Sequence, residues 1–230
     1  MPKPTIIPNW HYQKPNKGGH RGLKKLLKYV SHRESPDHRP LPLAERWTDV
    51  GLGANWRAVY EHCSQLAGPY VLAHHLVISP APDLMALVPE TQRAELVREV
   101  TERVIETWHL ERGLDIPEYS YVLHDRDTND QRGLQHLHSH VFVAGTIENS
   151  AGERESHRVK REQVCTDRGG LQRSDNLHHI ARQEFEALLD RTLGRDWRRL
   201  REVEPVEPLR EVSLEQYLGL ESLRSWEIER

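Results

Sequence analysis

The sequence predicts an α+β fold in which a central, mostly antiparallel sheet is flanked by helices and followed by a small helical or extended C-terminal appendage. Three short apolar segments, near 71–78, 119–124 and 137–145, are rich in β-branched and aromatic residues, as core strands are. The segment at 90–111 repeats apolar residues at spacings of three and four, which predicts an amphipathic helix. Its apolar stripe must be buried, so we expect it to pack on the sheet formed by the three strands.

The N-terminal part of the chain is predicted to be irregular and then helical. Residues 2–15 contain four prolines and little periodicity, which favours extended chain with a short strand at residues 5–7. Leucines at spacings of three and four predict an amphipathic helix over 20–32, with Tyr29 near its C-terminal end. The polar side of this helix is basic and carries Arg21, Lys24, Lys25 and Lys28.

The remaining elements are predicted from turn residues and helical spacing. Prolines and glycines predict a loop over 34–54, and a helix follows at 55–67. A hairpin turn is expected at 149–152, and a second long amphipathic helix at 176–193. We expect a folded domain over residues 1–195 and an acidic tail over 196–230.

Charge is distributed unevenly along a chain whose net charge is −3. Residues 1–40 carry nine Lys and Arg against two Asp and Glu, whereas residues 201–230 carry four against eight. A basic N-terminal segment can bind DNA even though the whole chain is slightly acidic. The distribution therefore favours nucleic-acid binding near the N-terminus.

The sequence also predicts a cytoplasmic protein without membrane insertion. It contains no run of about 18 apolar residues, and its N-terminus lacks the apolar segment of a signal peptide. Cys63 and Cys165 lie far apart and fit no metal-ligand spacing, so we expect both to be free thiols in a reducing compartment.

The most informative stretch is a run in which His136, His138 and His140 alternate with other residues and lead into Val141-Phe142-Val143. Alternate residues of a strand point to the same face, so the three imidazoles would lie side by side. Neutral imidazole nitrogens bind divalent transition metals. The spacing predicts a metal site, and the alternative is a histidine-rich loop edge with no ligand role.

Three segments, in this order, resemble the motifs of the HUH endonucleases, specifically conjugative relaxases of the MOBP type, a group that includes the T-DNA border nuclease. Residues 23–30 (LKKLLKYV) resemble the first motif, in which a tyrosine follows a short N-terminal helix. Residues 74–79 (HHLVIS) resemble the second, a core strand before a long helix. Residues 124–127 (HDRD), with the later histidine strand, resemble the third motif, which forms the metal site. The resemblance covers residues 20–147.

The third motif departs from the family pattern in two ways. Leu123 stands where the first histidine of a His-x-Asp-x-Asp element is expected, and the loop to the histidine strand is longer than usual. The resemblance favours His138 and His140 as ligands because they directly precede the apolar strand. It leaves two choices for the third ligand, His124 or His136.

The resemblance implies a role for each of these residues. A divalent ion (Mn, Mg or Zn) would be held by three histidines, and Tyr29 would be the nucleophile. Asp125 or Asp127 would orient a ligating imidazole or assist proton transfer, and the alternative for each is a turn residue. The basic residues of the helix at 20–32 would contact phosphates, and Trp47, Trp56 or Tyr12 would stack on unpaired bases.

Residues 1–195 would then be a relaxase domain that nicks and rejoins DNA at a specific site and strand, through a 5′-phosphotyrosine, for plasmid or mobile-element mobilization. The partners would be single-stranded or supercoiled DNA at an origin of transfer, with accessory DNA-binding and secretion-coupling proteins. One alternative is a rolling-circle replication initiator or transposase, but their tyrosine usually follows the histidines, whereas Tyr29 precedes them. Another is a non-catalytic DNA-binding accessory protein with the same fold.

Overall fold

The computed structural model describes residues 4–32, 47–124, 136–149, 151–157, 162–165, 171–174 and 176–202. The described helices are α1 (Lys17–His32), α2 (Trp56–Gln65), α3 (Pro82–Leu87), α4 (Glu90–Leu110), α5 (Leu177–Leu193) and α6 (Trp197–Glu202). The described strands are β1 (Ile6–Gln13), β2 (Trp47–Val50), β3 (Ala73–Pro80), β4 (Tyr119–His124), β5 (His138–Ala144), β6 (Thr146–Glu148), β7 (Arg154–Ser156), β8 (Glu162–Cys165) and β9 (Leu171–Ser174). None of these helices is long and apolar enough to cross a membrane.

A five-stranded sheet with the order β1-β3-β5-β4-β2 forms the centre of the fold. Every pair of neighbouring strands in it is antiparallel. The three strands predicted from apolar segments, β3, β4 and β5, are its three central strands, which confirms that part of the prediction. Two separate hairpins, β6-β7 and β8-β9, follow the sheet.

The two faces of the sheet are covered by different helices. On one face, Leu76, Tyr121 and Val141 share a core with the apolar stripe of α4 and with α5. On the other face, Val122 and Phe142 share a core with α1 and α2. His138 and His140 lie on this second face because they alternate in step with Phe142 along β5. We call it the histidine face, and the prediction that α4 packs on the opposite face is confirmed.

Helix α1 has the amphipathic character that its sequence predicts. Leu23, Leu27 and Val30 are fully buried in the core of the histidine face. The helix begins where Asn16 Oδ1 accepts a hydrogen bond from the backbone N–H of Gly19 at 2.8 Å. Burial of one side of α1 fixes the direction of its polar side, and thereby the position of Tyr29.

Both edge strands were underestimated from the sequence. β1 pairs with β3 over eight residues, from Ile6 opposite Pro80 to Gln13 opposite Ala73, where only a strand at residues 5–7 was predicted. Pro8 is compatible with this strand because an edge strand leaves half of its backbone groups outside the ladder. β2 lies in a segment predicted to be loop and pairs with β4.

The predicted C-terminal tail begins inside the packed structure. Trp197 of α6 is buried in the same core as α4 and α5, and its indole Nε1–H donates a hydrogen bond to Asp190 at 2.7 Å. Residues 203–230 lie outside the described residues, so the division into a domain and an acidic tail stays a prediction.

One group of histidines, which we call the inner histidine cluster, is buried near the end of the sheet at which β3 begins and β5 ends. It consists of His74, His109 and His157, which are 3%, 0% and 1% exposed. The Trp10 indole N–H donates to His74 Nδ1 at 2.9 Å, and His109 Nε2 lies 3.1 Å from His157 Nε2. Burial lowers the pKa of His74 and of His109 to about 4, so both rings are neutral at pH 7.

The free energy of unfolding is therefore expected to fall when the pH decreases from 7.5 to 5.0. The unfolded chain protonates these histidines near pH 6.5, whereas the folded chain resists protonation until about pH 4. The contribution of each histidine to the free energy of unfolding is therefore complete above pH 6.5 and is lost as the pH falls toward 4. Between pH 7.5 and 5.0 the loss amounts to about 2 kcal/mol for each histidine. Urea unfolding in the presence of EDTA at pH 7.5 and at pH 5.0 measures this difference in the free energy of unfolding.

The matched control for this measurement replaces the exposed histidines His178 and His179 with glutamine. The control variant should keep the full pH dependence, because it leaves the inner histidine cluster unchanged. Equal stability of the wild-type protein at pH 7.5 and 5.0 would contradict the assignment of the inner cluster as buried and neutral.

Candidate metal centre

The candidate metal centre lies where β4 ends and β5 begins. His124 is the last residue of β4 and is directly opposite His138, the first residue of β5. His140 lies two residues further along β5, opposite Val122. Opposite residues of an antiparallel pair share a face, so all three imidazoles project from the histidine face. The cluster thus follows from strand register and from period-two spacing.

The three rings are close enough to share one ion. Each offers a ring nitrogen, and the three nitrogens all lie within 4.8 Å of one another. His124 Nδ1 is 3.2 Å from His138 Nε2. Two nitrogens that each lie about 2.0–2.1 Å from a tetrahedral ion would be separated by about 3.3 Å. All three side chains are buried, with exposures of 4%, 6% and 8%.

Hydrogen bonds orient two of the three rings. His138 Nδ1 lies 2.8 Å from the carbonyl oxygen of His136 and donates to it, which leaves Nε2 as the lone-pair nitrogen. His140 Nδ1 lies 2.9 Å from His75 Nε2, which leaves His140 Nε2 for a ligand. A partner on the second ring nitrogen is the usual environment of a metal-binding histidine. The donor set therefore fits a divalent transition metal.

His136 lies beside the cluster but is not a member of it. Its Nε2 is 2.6 Å from Ser79 Oγ, and its ring centroid is 5.1 Å from that of His138. The sequence left His124 and His136 as choices for the third ligand, and the structure brings together His124, His138 and His140. Their role as ligands stays a prediction.

Tyr29 lies beside the cluster. Its ring centroid is 5.9 Å from that of His124, in an edge-to-face arrangement with an interplanar angle of 60°. The side chain is 40% exposed, so the tyrosine can be reached from solvent while one edge contacts the histidine face. Asp125 and Asp127 lie outside the described residues.

Comparison with known proteins gives similarity at the level of structure only. No protein-family model and no curated protein matches the sequence. A chain from a structure on the molecular basis of vancomycin resistance transfer in Staphylococcus aureus is 9% identical, with a TM-score of 0.44 over 84% of this chain and 94% of that chain. TrwC complexed with a 27-mer DNA comprising the recognition hairpin and the cleavage site is 14% identical, with a TM-score of 0.41 over 94% and 90%. A metal-bound structure of the conjugative relaxase TrwC with OriT DNA is 15% identical, with a TM-score of 0.40 over the same shares.

The basic side of α1 is exposed and lies against aromatic rings of α2. Lys24 Nζ is 5.7 Å from the centroid of the Tyr60 ring, and Lys28 Nζ is 5.0 Å from that of Trp56. Arg57 also lies over Trp56, at 5.4 Å. The four basic residues predicted to contact phosphates, Arg21, Lys24, Lys25 and Lys28, are all exposed. We call the exposed surface of α1 and α2 the basic aromatic surface.

The three aromatic residues predicted to stack on bases have different environments. Trp56 is partly exposed on the basic aromatic surface. Trp47 is only 7% exposed and stacks on Phe142 in the core, so the stacking prediction is wrong for this residue. Tyr12 is 56% exposed but lies on β1, the edge strand beside β3.

Sequence reasoning missed the contact made by His75. It treated this residue only as part of a core strand, yet its ring is 7% exposed and lies parallel to that of His140, with centroids 5.2 Å apart. Burial lowers the pKa of His75 to about 4, so it is neutral and can accept a hydrogen bond from His140. The available signal was a histidine inside an otherwise apolar strand, since a buried polar side chain needs a partner.

Proposed function

We propose that this protein nicks and rejoins DNA at a specific site and strand by tyrosine transesterification, with a divalent metal ion as cofactor. The observation that carries the proposal is the position of Tyr29 against His124, one of three buried histidines able to share an ion. The similarity of residues 20–147 to relaxase motifs supports the same function. A relaxase for plasmid or mobile-element transfer is the biological role that follows.

In the proposed reaction the Tyr29 hydroxyl attacks the phosphorus of one DNA phosphodiester. A bond forms between phosphorus and the tyrosine oxygen, and the bond between phosphorus and the 3′-oxygen breaks. The phenol loses its proton, and the departing 3′-oxygen gains one. The products are a 5′-phosphotyrosine and a free 3′-hydroxyl, and the reverse reaction reseals the strand.

The chain supplies the remaining parts of the site. A divalent ion on His124, His138 and His140 would polarise the scissile phosphate and neutralise its developing charge. The carbonyl of His136 and the ring of His75 hold two of these imidazoles in orientation. The basic aromatic surface would hold the flanking strand, with lysines on phosphates and Trp56 on a base.

The proposed substrate is single-stranded or supercoiled DNA at an origin of transfer, and accessory DNA-binding and secretion-coupling proteins are the proposed partners. The alternative role, a replication initiator or transposase, would use a tyrosine that follows the histidines. Tyr217 is the tyrosine in that part of the sequence, and it lies outside the described residues. The contact between Tyr29 and His124 favours the relaxase role.

The direct test incubates the full-length protein with Mn²⁺ and single-stranded oligonucleotides of randomised sequence that are labelled at the 3′ end. Attack by tyrosine transfers the labelled 3′ portion to the protein, so a labelled band should appear at the protein's position in a denaturing gel. Oligonucleotides labelled at the 5′ end should give only shorter free DNA. A band with 5′-labelled DNA, or none with either label, would contradict the proposal.

Replacing His75 with alanine is expected to weaken metal binding by about 10–100-fold, because His140 loses the partner that fixes its ring. Titration of Co²⁺ by calorimetry and by its visible absorption measures both the affinity and the coordination. The His75→Gln variant retains a polar group at this position and should recover part of the affinity. Wild-type affinity in His75→Ala would show that the contact has no positioning role.

Replacing both Lys24 and Lys28 with glutamine is expected to reduce the salt dependence of binding to single-stranded DNA. The plot of log K against log salt has a negative slope, and each lost phosphate contact reduces the steepness of that slope by about 0.7. Fluorescence anisotropy at several salt concentrations measures the slope. The matched control replaces Arg182 and Arg195 with glutamine; both are exposed and lie on or just after α5, which packs on the other face of the sheet, so this variant should retain the wild-type slope if the DNA lies on the basic aromatic surface.

A further inference from the structure

The basic residues of α1 form no ion pairs with the described part of the chain. The helix contains no Asp or Glu, and its basic side chains are all exposed: Lys17, Arg21, Lys24, Lys25 and Lys28. None of the ion pairs between described residues involves any of them. Helix α2 adds one arginine and one glutamate, so it leaves this excess of positive charge unchanged. The basic aromatic surface is therefore not neutralised by its described neighbours.

On the opposite face of the sheet, basic residues do have acidic partners. Arg103 of α4 forms ion pairs with Glu99 and Glu184, and Arg198 of α6 forms one with Asp190. Helices α4 and α5 each carry more acidic than basic residues. The electrostatic potential therefore favours an acidic segment at the basic aromatic surface over the same segment on the opposite face.

The chain contains an acidic segment that the proposed reaction does not use. Residues 203–230, which we call the terminal segment, follow α6 and carry seven Glu against three Arg. This excess of four negative charges exceeds the net charge of −3 of the whole chain, so residues 1–202 are slightly basic. At about 3.3 Å per residue, the 28 residues of the segment can reach about 90 Å from the end of α6. A domain of about 200 residues has a radius of gyration of about 16 Å, so the path over its surface to the opposite face is about 65 Å and lies within this reach.

We propose that the terminal segment binds the basic aromatic surface of its own chain and thereby competes with DNA. Its glutamates would occupy the positions that DNA phosphates take near Lys24, Lys25 and Lys28. Because the segment belongs to the same chain, its effective concentration is about 1 mM, so an intrinsic dissociation constant of about 0.25 mM reduces the affinity for DNA about fivefold. The competition rests on the proposed DNA binding by this surface, whereas the docking of the segment requires neither DNA nor nicking.

The first test uses a full-length terminal-segment variant that loses four negative charges and nearly keeps the side-chain sizes: Glu211→Gln, Glu215→Gln, Glu221→Gln and Glu227→Gln. We expect this variant to bind a single-stranded oligothymidine 12-mer about fivefold more tightly than the wild type, by fluorescence anisotropy at low ionic strength. The matched control removes four exposed negative charges from the described part of the chain and should change the affinity less than about twofold: Glu90→Gln, Glu95→Gln, Glu106→Gln and Glu153→Gln. Equal gains in both variants would show a general effect of net charge and overturn the proposal.

A second test locates the docking site and does not use DNA. Calorimetric titration of the terminal-segment variant with a synthetic peptide of residues 203–230 should give a dissociation constant of about 0.25 mM. Adding Lys24→Gln and Lys28→Gln to the same variant should weaken peptide binding at least about fivefold. Absence of peptide binding, or equal peptide binding with and without the two lysines, would overturn the proposal.

The two tests together separate this inference from the proposed function. Peptide binding without any change in DNA affinity would support the docking and would place the DNA on another surface. The Tyr29→Phe variant should show the same gain in DNA affinity when its terminal segment is changed, so loss of nicking leaves the inference testable. A wild-type protein that sediments as a dimer, with the terminal-segment variant as a monomer, would assign the segment to a second copy and overturn binding within one chain.

Discussion

The Tyr29→Phe variant is expected to form no covalent adduct with DNA, a decrease of about 10³-fold or more, which corresponds to about 4 kcal/mol of transition-state free energy. Phenylalanine keeps the ring that contacts His124 and removes only the oxygen that would bond to phosphorus. Because the side chain is 40% exposed, the free energy of unfolding should change by less than about 0.5 kcal/mol. The 3′-labelled oligonucleotide assay measures the adduct, and anisotropy should show unchanged DNA binding.

Two controls make this result specific to one tyrosine. Tyr60→Phe alters another tyrosine of the basic aromatic surface and should leave adduct formation unchanged, as should Tyr12→Phe on β1. An adduct that persists in Tyr29→Phe would refute the assignment, and mapping of the modified peptide would identify the residue that carries the DNA. Normal adduct formation in both controls with none in Tyr29→Phe would confirm it.

The central strands and the long helices could be predicted because their pattern is determined by burial alone. β3, β4 and β5 are buried on both faces and each contains a short run of apolar residues, and α4 has a continuous apolar stripe, so each is recognisable without knowledge of its neighbours. The edge strands lack this property. β1 alternates buried with exposed residues and contains Pro8, and its strand conformation depends on pairing with β3, which is distant in sequence.

The candidate site shows the same division between local and long-range information. The period-two spacing put His138 and His140 on one face before any pairing was known. The choice between His124 and His136 required the register of β4 against β5, because His124 ends β4 directly opposite His138, whereas His136 precedes β5. His75 on β3 and His140 on β5 are 65 residues apart in the sequence, so no local sequence pattern predicts their contact.

The His138→Ala/His140→Ala variant is expected to lose metal binding and adduct formation together. Two of three nitrogens are removed, so the remaining His124 cannot hold the ion at micromolar concentrations, and the fitted stoichiometry should fall from about one ion to none. Chelation of the wild-type protein with EDTA should abolish the adduct in the same way. Salt-dependent DNA binding should persist, because it is attributed to the basic aromatic surface rather than to the histidines.

His136→Ala is the matched control, since this histidine belongs to the same period-two run but bonds to Ser79 and lies outside the cluster. It should retain one bound ion and at least a large part of the adduct. Because alanine at two buried positions can destabilise the sheet, the single variant His140→Gln, which keeps most of the side-chain volume, should also lose the ion while circular dichroism remains native. Metal binding that survives in His140→Gln but disappears in His136→Ala would reverse the ligand assignment and make His136 the ligand instead of His140.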